Sequence, residues 1–184
     1  AIDLMYWLMN ANPVRVTGTL ARRFRNMEAE DVGMAIFEMD DGSLCQVEGT
    51  TATDEKDHEA QFYINGSKGS VRIGLRKNIP HFEIRDAAGK KINRIYYRKM
   101  IKEEGLKKLK YAGNPHHYIY SDLYDAIINQ RAPLADAQSG YYSVQAVLGI
   151  YKSALSKKPV SLPLKKDFCS EDMDNFFESQ NQQS

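Results

Sequence analysis

His116, Tyr120 and Tyr124 recur at i, i+4 and i+8 behind Asn114-Pro115, a spacing that places them on one face of a helix beginning near His116. A face that joins an imidazole to two phenols suits a sugar, whose hydroxyls need donors and acceptors and whose C–H face packs on rings. The plainer alternative is a histidine seated at a helix N-terminus. His117 points about a third of a turn away, and a slip of one residue exchanges its role with that of His116. Asp3 is the other candidate. By position alone it is a solvated carboxylate in the first turn of a helix, where the dipole favours negative charge.

Other chemistries find less support. His58 and His81 sit in strand-like segments without a second ligand at metal spacing, and Cys45 and Cys169 have neither pair nor metal-ligand spacing, so no metal is expected. The two cysteines read as free thiols of a reducing compartment, and the chain as cytoplasmic. No Gly-x-Ser-x-Gly elbow offers a serine nucleophile. Gly66-Ser67-Lys68-Gly69 has the wrong gap for a phosphate loop and no helix after it. The lysine run around Lys99–Lys110 reads as a solvated face, with contact to a nucleotide diphosphate through Lys107 and Lys108 as the sharper alternative. A net charge of +1 gives no electrostatic case for nucleic acid or an anionic membrane. No apolar run approaches the roughly 20 residues that cross a bilayer.

The elements that must position these residues are legible in outline. The chain opens on Ala1-Ile2-Asp3-Leu4, inside an amphipathic helix with Leu4, Trp7 and Leu8 on one face, and reads as a piece of something longer. Val14–Arg23 alternates as a strand, and Asp31–Ala52 holds two apolar runs around Asp40-Asp41-Gly42, a hairpin signal. In the first run Val32, Met34 and Ile36 face one way and Ala35, Phe37 and Met39 the other, so both faces of the sheet need cover. Further strands are expected at Glu59–Ile64, Val71–Ile73, His81–Arg85 and Ile92–Tyr97, with hairpin-length connections. Beyond a weakly helical Arg98–Tyr111 lie two helices. The first, from His116 to about Gln130, has Ile119, Leu123, Ala126 and Ile127 as its core stripe; the second, Ala137–Ser156, has Val144, Val147, Leu148, Tyr151 and Leu155.

These pieces, in this order, resemble the C-terminal domain of the glucose-fructose oxidoreductase/inositol dehydrogenase (Gfo/Idh/MocA) family of NAD(P)-dependent oxidoreductases, from Ala1 to about Leu164. Ile2-Asp3-Leu4 with Trp7-Leu8 is similar to the second half of the family's His-x-x-Asp helix, and Ile64–Val71 to its glycine turn. His116 with Asp122-Leu123 and Ala126-Ile127 is similar to its His-x5-Asp helix. Pro133-Leu134, Asp136, Gly140, Ser143-Val144, Ile150–Ala154 and Val160–Pro163 fit its closing segment.

The resemblance implies that Asp3 supports catalysis at the mouth of a substrate pocket and that His116, with Tyr120 and Tyr124, binds a sugar-type substrate. It implies NAD or NADP in a parent protein, with no cofactor bound by this chain, because the family's N-terminal Rossmann domain, its Glu-Lys-Pro lysine and its helix histidine (one residue before Ala1) fall outside it. The resulting expectation is an α+β fold, a largely antiparallel open sheet of about six strands with helices on one face and the other used for a homo-oligomer, dimer or tetramer. Residues 1–164 form that domain and 165–184 a charged, Gln- and Ser-rich tail. The parent would be an oxidoreductase of sugars, sugar nucleotides or cyclitols and the chain alone inactive; the alternative is a free-standing oligomerisation or ligand-binding module.

Overall fold

In the computed structural model, which describes residues 2–53, 60–76, 79–109, 115–173 and 176–177, the Asp40-Asp41-Gly42 turn joins two antiparallel strands as its composition requires. Gly42 takes φ +83° and its amide donates to the Met39 carbonyl at 3.0 Å, while the Asp41 carboxylate accepts from the Ser43 amide and hydroxyl at 2.9 and 2.6 Å. In chain order the elements are α1 (Ile2–Met9), β1 (Pro13–Ala21), β2 (Val32–Met39), β3 (Leu44–Thr50), β4 (Ala60–Gly66), β5 (Gly69–Arg76) and β6 (Ile79–Asp86). They continue with α2 (Asn93–Leu109), α3 (Pro115–Ile128), α4 (Ala137–Ser156), β7 (Val160–Ser161) and a 3-10 turn, Ser170–Met173. They fall into two compact units, Ala1–Ala52 with Ile119–Ser184, and Thr53–Tyr118.

The α+β class and the antiparallel pairing are those expected. The strands, however, divide between a four-stranded sheet, β3-β2-β1-β7, and a three-stranded one, β4-β5-β6. The division follows a sequence run, Asp54-Glu55-Lys56-Asp57-His58-Glu59, that has no apolar alternation to lay on a sheet. Those six residues, His58 among them, lie outside the described ones.

In the first unit α4 packs on β1, and small residues set how close it comes. A Cβ on Gly18 would stand 2.8 Å from Ile150 Cγ2 and 3.3 Å from the Ile150 carbonyl; one on Gly149 would stand 3.0 Å from Val16 Cγ1. The buried face of α4 is therefore Ala146, Gly149, Ile150, Ser153 and Ala154, not the larger stripe of Val144, Val147, Leu148, Tyr151 and Leu155 read from periodicity. Val144, Val147 and Leu155 are exposed. Beneath the helix, Val16, Leu20, Ala35, Phe37 and Cys45 close the core. β7 covers only two residues of the β1 edge, and beyond it the Gly18 amide finds Ser153 Oγ at 3.0 Å, which itself donates to the Lys158 carbonyl at 2.7 Å.

The opposite face of this sheet is exposed in the single chain. Cross-strand neighbours there are Thr17 with Ile36, Thr19 with Met34, and Arg15 with Glu38, the last pair joined by an ion pair. The face is thus mixed rather than uniformly apolar. On α1 the buried residue is Met5, whereas Leu4 and Trp7 of the expected face are exposed. The α3 stripe differs as well: of its four residues Ala126 is buried, and Ile119, Leu123 and Ile127 are exposed. Within the expected tail, Met173 and Phe177 are buried and the 3-10 turn packs on α4; residues 178–184 are outside the described ones.

In the second unit Gly66 and Gly69 face each other across a tight turn, as read. Gly69 takes φ +140°, and a Cβ there would stand 2.0 Å from the Arg85 carbonyl. The expected strand at Ile92–Tyr97 is instead the start of α2. Asp86 Oδ1 accepts from the Ala88 and Lys90 amides (3.0 and 2.9 Å) and curls the chain back for a single bridge, Arg85 to Lys91. The Asn93 side chain then does what a further strand would have done: Oδ1 accepts from the Ile84 amide at 2.9 Å and Nδ2 donates to the Phe82 carbonyl at 2.6 Å. With that edge satisfied, the main chain is released into a helix, and Tyr97 lays its ring on Phe82, 4.7 Å between centroids.

Candidate functional site

Asp3, on the first turn of α1, borders a cavity of about 190 Å³ shared with Tyr6, Asn10, Ala11, Asn12, Ser139 and Tyr142. Asp3, Tyr6 and Asn10 share one face of the helix by spacing, and Asn10 ends it in the left-handed region at φ +49°. Asn12 is fixed to the hairpin turn by a mutual grip with Asp40: its amide and Nδ2 donate to the carboxylate at 3.1 and 3.3 Å, and its carbonyl accepts from the Asp40 amide at 2.9 Å. Tyr6 donates its hydroxyl to the Tyr142 carbonyl at 3.2 Å, with the rings stacked 6.3 Å apart. Burial, reinforced by Tyr142, pushes the Tyr6 phenol up to about 12, so it serves as a donor at neutral pH.

The far wall is the first turn of α4. Asp136 caps that helix by accepting the Ser139 amide at 2.8 Å, and Ser139 Oγ returns a bond to the Asp136 carbonyl at 2.9 Å. A carboxylate, two amides and a serine hydroxyl thus line one small cleft, a set able to hydrogen-bond a polyhydroxylated ligand.

The helical stripe lies elsewhere. Tyr120 and Tyr124 stand one turn apart on α3, 70% and 69% exposed, with His116 a turn before them at the exposed start of the helix. None of the three lines the cavity beside Asp3. α3 is held at its far end by Asp122, which accepts from Arg131 at 2.6 Å and from the Leu134 amide at 2.7 Å, and by Asp125, also 2.6 Å from Arg131. The Leu134 amide and the Arg131 guanidinium hold the Asp122 carboxyl below its usual range. Asp122, noted in the sequence only as part of a motif, is the residue that ties α3 to the loop leading into α4.

Sequence reasoning also missed Asp31, which is buried 1% exposed and accepts from the amides of Arg23 (2.9 and 3.0 Å), Phe24 and Arg25 (2.8 Å). Burial pushes this carboxyl up, but the three amides outweigh it and hold it below the usual carboxylate range. An acid after a polar stretch carries no periodic signal, so only the folded loop reveals its role. Among the described residues no His/Cys/Asp/Glu group is arranged to hold a metal ion, and no helix is long and apolar enough to cross a membrane. The side chains of Lys107 and Lys108 lie outside the described residues.

Comparison with known proteins follows the same outline. Residues 1–72 match the family model of the GFO/IDH/MocA C-terminal domain. No curated protein matches the chain. The WlbA dehydrogenase from Chromobacterium violaceum, solved with NADH and UDP-GlcNAcA, is 28% identical with a TM-score of 0.69, over 90% of this chain and 44% of its own. The WlbA dehydrogenase from Bordetella pertussis, in complex with the same two ligands, is 25% identical with a TM-score of 0.67, over 89% of this chain and 43% of its own. An oxidoreductase domain protein from Kribbella flavida shares the fold, with a TM-score of 0.73 at 17% identity, over 89% of this chain and 48% of its own. The chain spans less than half the length of each of these proteins. Its first 72 residues are thus similar to the GFO/IDH/MocA C-terminal domain, and its fold is similar to that of part of each of the two WlbA dehydrogenases.

Proposed function

We propose that this chain is the substrate and assembly part, residues 1–164 with the tail 165–184, of a cytoplasmic NAD(P)-dependent oxidoreductase. The parent passes a hydride between the nicotinamide and a carbinol carbon of a sugar, sugar nucleotide or cyclitol. The observation that carries this reading is the likeness, over nine-tenths of the chain, to two dehydrogenases that hold NADH and UDP-GlcNAcA. It favours NAD over NADP and a sugar nucleotide over a free sugar. In this reading Asp3 orients or polarises the group that exchanges the hydroxyl proton, while His116, Tyr120 and Tyr124 face the substrate. The family's lysine and histidine are the proton acid and base and are supplied from outside these residues, so the chain alone turns nothing over. The mixed face of the four-stranded sheet joins copies into a dimer or tetramer.

The test begins with the coding sequence upstream of Ala1. A Gly-x-Gly-x-x-Gly segment opening a βαβ unit roughly 100–150 residues back supports the enzyme; a start codon close to Ala1 decides for a free-standing module. In the full-length enzyme, assayed by NADH formation from UDP-sugars, Asp3→Asn is expected to lower kcat about ten-fold or more while KM stays within about three-fold. Tyr120→Ala is expected to raise KM instead. NAD(P)-linked turnover by residues 1–184 alone overturns the division of labour.

A further inference from the structure

Glu30, just before β2, and Tyr151, on α4, meet at a second cavity of about 310 Å³ that the dehydrogenase reading does not use. Tyr151 donates its hydroxyl to the Glu30 carboxylate, 3.0 and 2.9 Å from the two oxygens, which fixes the direction in which that carboxylate faces. Burial, then the carboxylate itself, push the phenol up to about 12, so the donor persists at neutral pH. The floor is the helix-facing side of the sheet, with Ala35 and Val47 beside Gly33 and Gly49, and α4 adds Val147. At Gly49 a Cβ would meet no atom within 4 Å, so the floor there is bare backbone with open space above it.

The charged residues that line this space are of one sign. Two carboxylates, Glu30 and Asp31, border it and none of its lining residues is basic. Arg25 donates its guanidinium to the Thr51 carbonyl at 2.9 and 3.2 Å and is not part of the lining. Asp31 is occupied by backbone amides, whereas Glu30 keeps acceptor sites beyond those that a single hydroxyl can use. An apolar slot with one directed, incompletely engaged carboxylate discriminates by charge: an ammonium is attracted, while an anion would be desolvated against like charge.

We propose that this cavity binds a small organic amine with an apolar ring, the ammonium on Glu30 and the ring over the open backbone at Gly49, beside the Leu20 side chain that covers Gly33. The test is titration of the 184-residue chain with benzylamine, with benzyl alcohol and benzoate as neutral and anionic counterparts, read by calorimetry and by the shift in melting temperature. Benzylamine is expected to saturate with a Kd on the order of 1 mM or tighter, benzyl alcohol about ten-fold more weakly, and benzoate not at all. Glu30→Gln should weaken benzylamine about ten-fold and leave benzyl alcohol unchanged. Gly49→Phe should fill the slot and abolish binding of both, and Val147→Phe does so from the helix side if the first variant fails to fold. The proposal is overturned if benzylamine shows no saturation, if benzoate binds as tightly, or if a folded filled-slot variant keeps the wild-type affinity. Each of these readings is made without NAD(P) turnover, so its failure leaves the dehydrogenase reading untouched.

Discussion

Asp31 gathers three consecutive backbone amides onto one buried carboxylate, and this has a pH signature. Its folded pKa is depressed, so the stabilisation is present above the unfolded value, near 4, and is lost as pH falls through the folded one. Asp31→Asn keeps the shape but turns an amide donor toward N–H groups. It is expected to lower the urea midpoint clearly at pH 7 and by progressively less as pH falls below the unfolded value, as the wild type loses the contribution of its carboxylate; a loss that stays equal across that range would contradict the assignment. Hydrogen exchange offers a second check. The amides of Arg23, Phe24 and Arg25 lie in a loop without regular structure, with Phe24 77% exposed, yet should exchange slowly.

At the scale of elements the strongest determinant is the approach of α4 to β1. Gly18→Val inserts a branched side chain where even a Cβ meets Ile150, and is expected to cost about 1–3 kcal/mol in chemical denaturation. Ser153→Ala removes both the acceptor for the Gly18 amide and the donor to Lys158, at about 1–3 kcal/mol, with no change expected in the β1–β2 hairpin. The hairpin itself was legible because Asp-Gly chemistry is local: Gly42 supplies the positive φ whatever surrounds it. The face of α4 was not. Periodicity weights large apolar residues, and here the contact is made by Ala146, Gly149 and Ser153, whose smallness shows its purpose only beside Gly18. Ile92–Tyr97 was misread for a related reason. Its β-branched and aromatic residues suit a strand, but Asn93 satisfies the β6 edge with a side chain and the helix wins. Of the candidate site, Asp3 was legible as a position, whereas Tyr6, Asn12, Ser139 and Tyr142 join it only through the packing of α1 on α4.

For the whole molecule, the exposed face bearing Met34 and Ile36 is where we place the contact between copies. Ile36 is 53% exposed in the single chain, so Ile36→Lys should leave the fold nearly as stable while shifting a dimer or tetramer to monomer in sedimentation. A wild-type chain already monomeric at micromolar concentration overturns that placement. The division into two units escaped the sequence because apolar patterning marks a strand without saying which strands share a sheet. It has a temporal consequence as well. Arg15 of β1 pairs with Ser161 of β7, and the entire second unit is interposed between them along the chain. During synthesis on the ribosome the interposed unit has all its strands available first, while the surrounding one waits with the β1 edge bare until α4 and β7 emerge. Its final assembly is the slow, long-range step, and the one most exposed to aggregation while the nascent chain is incomplete.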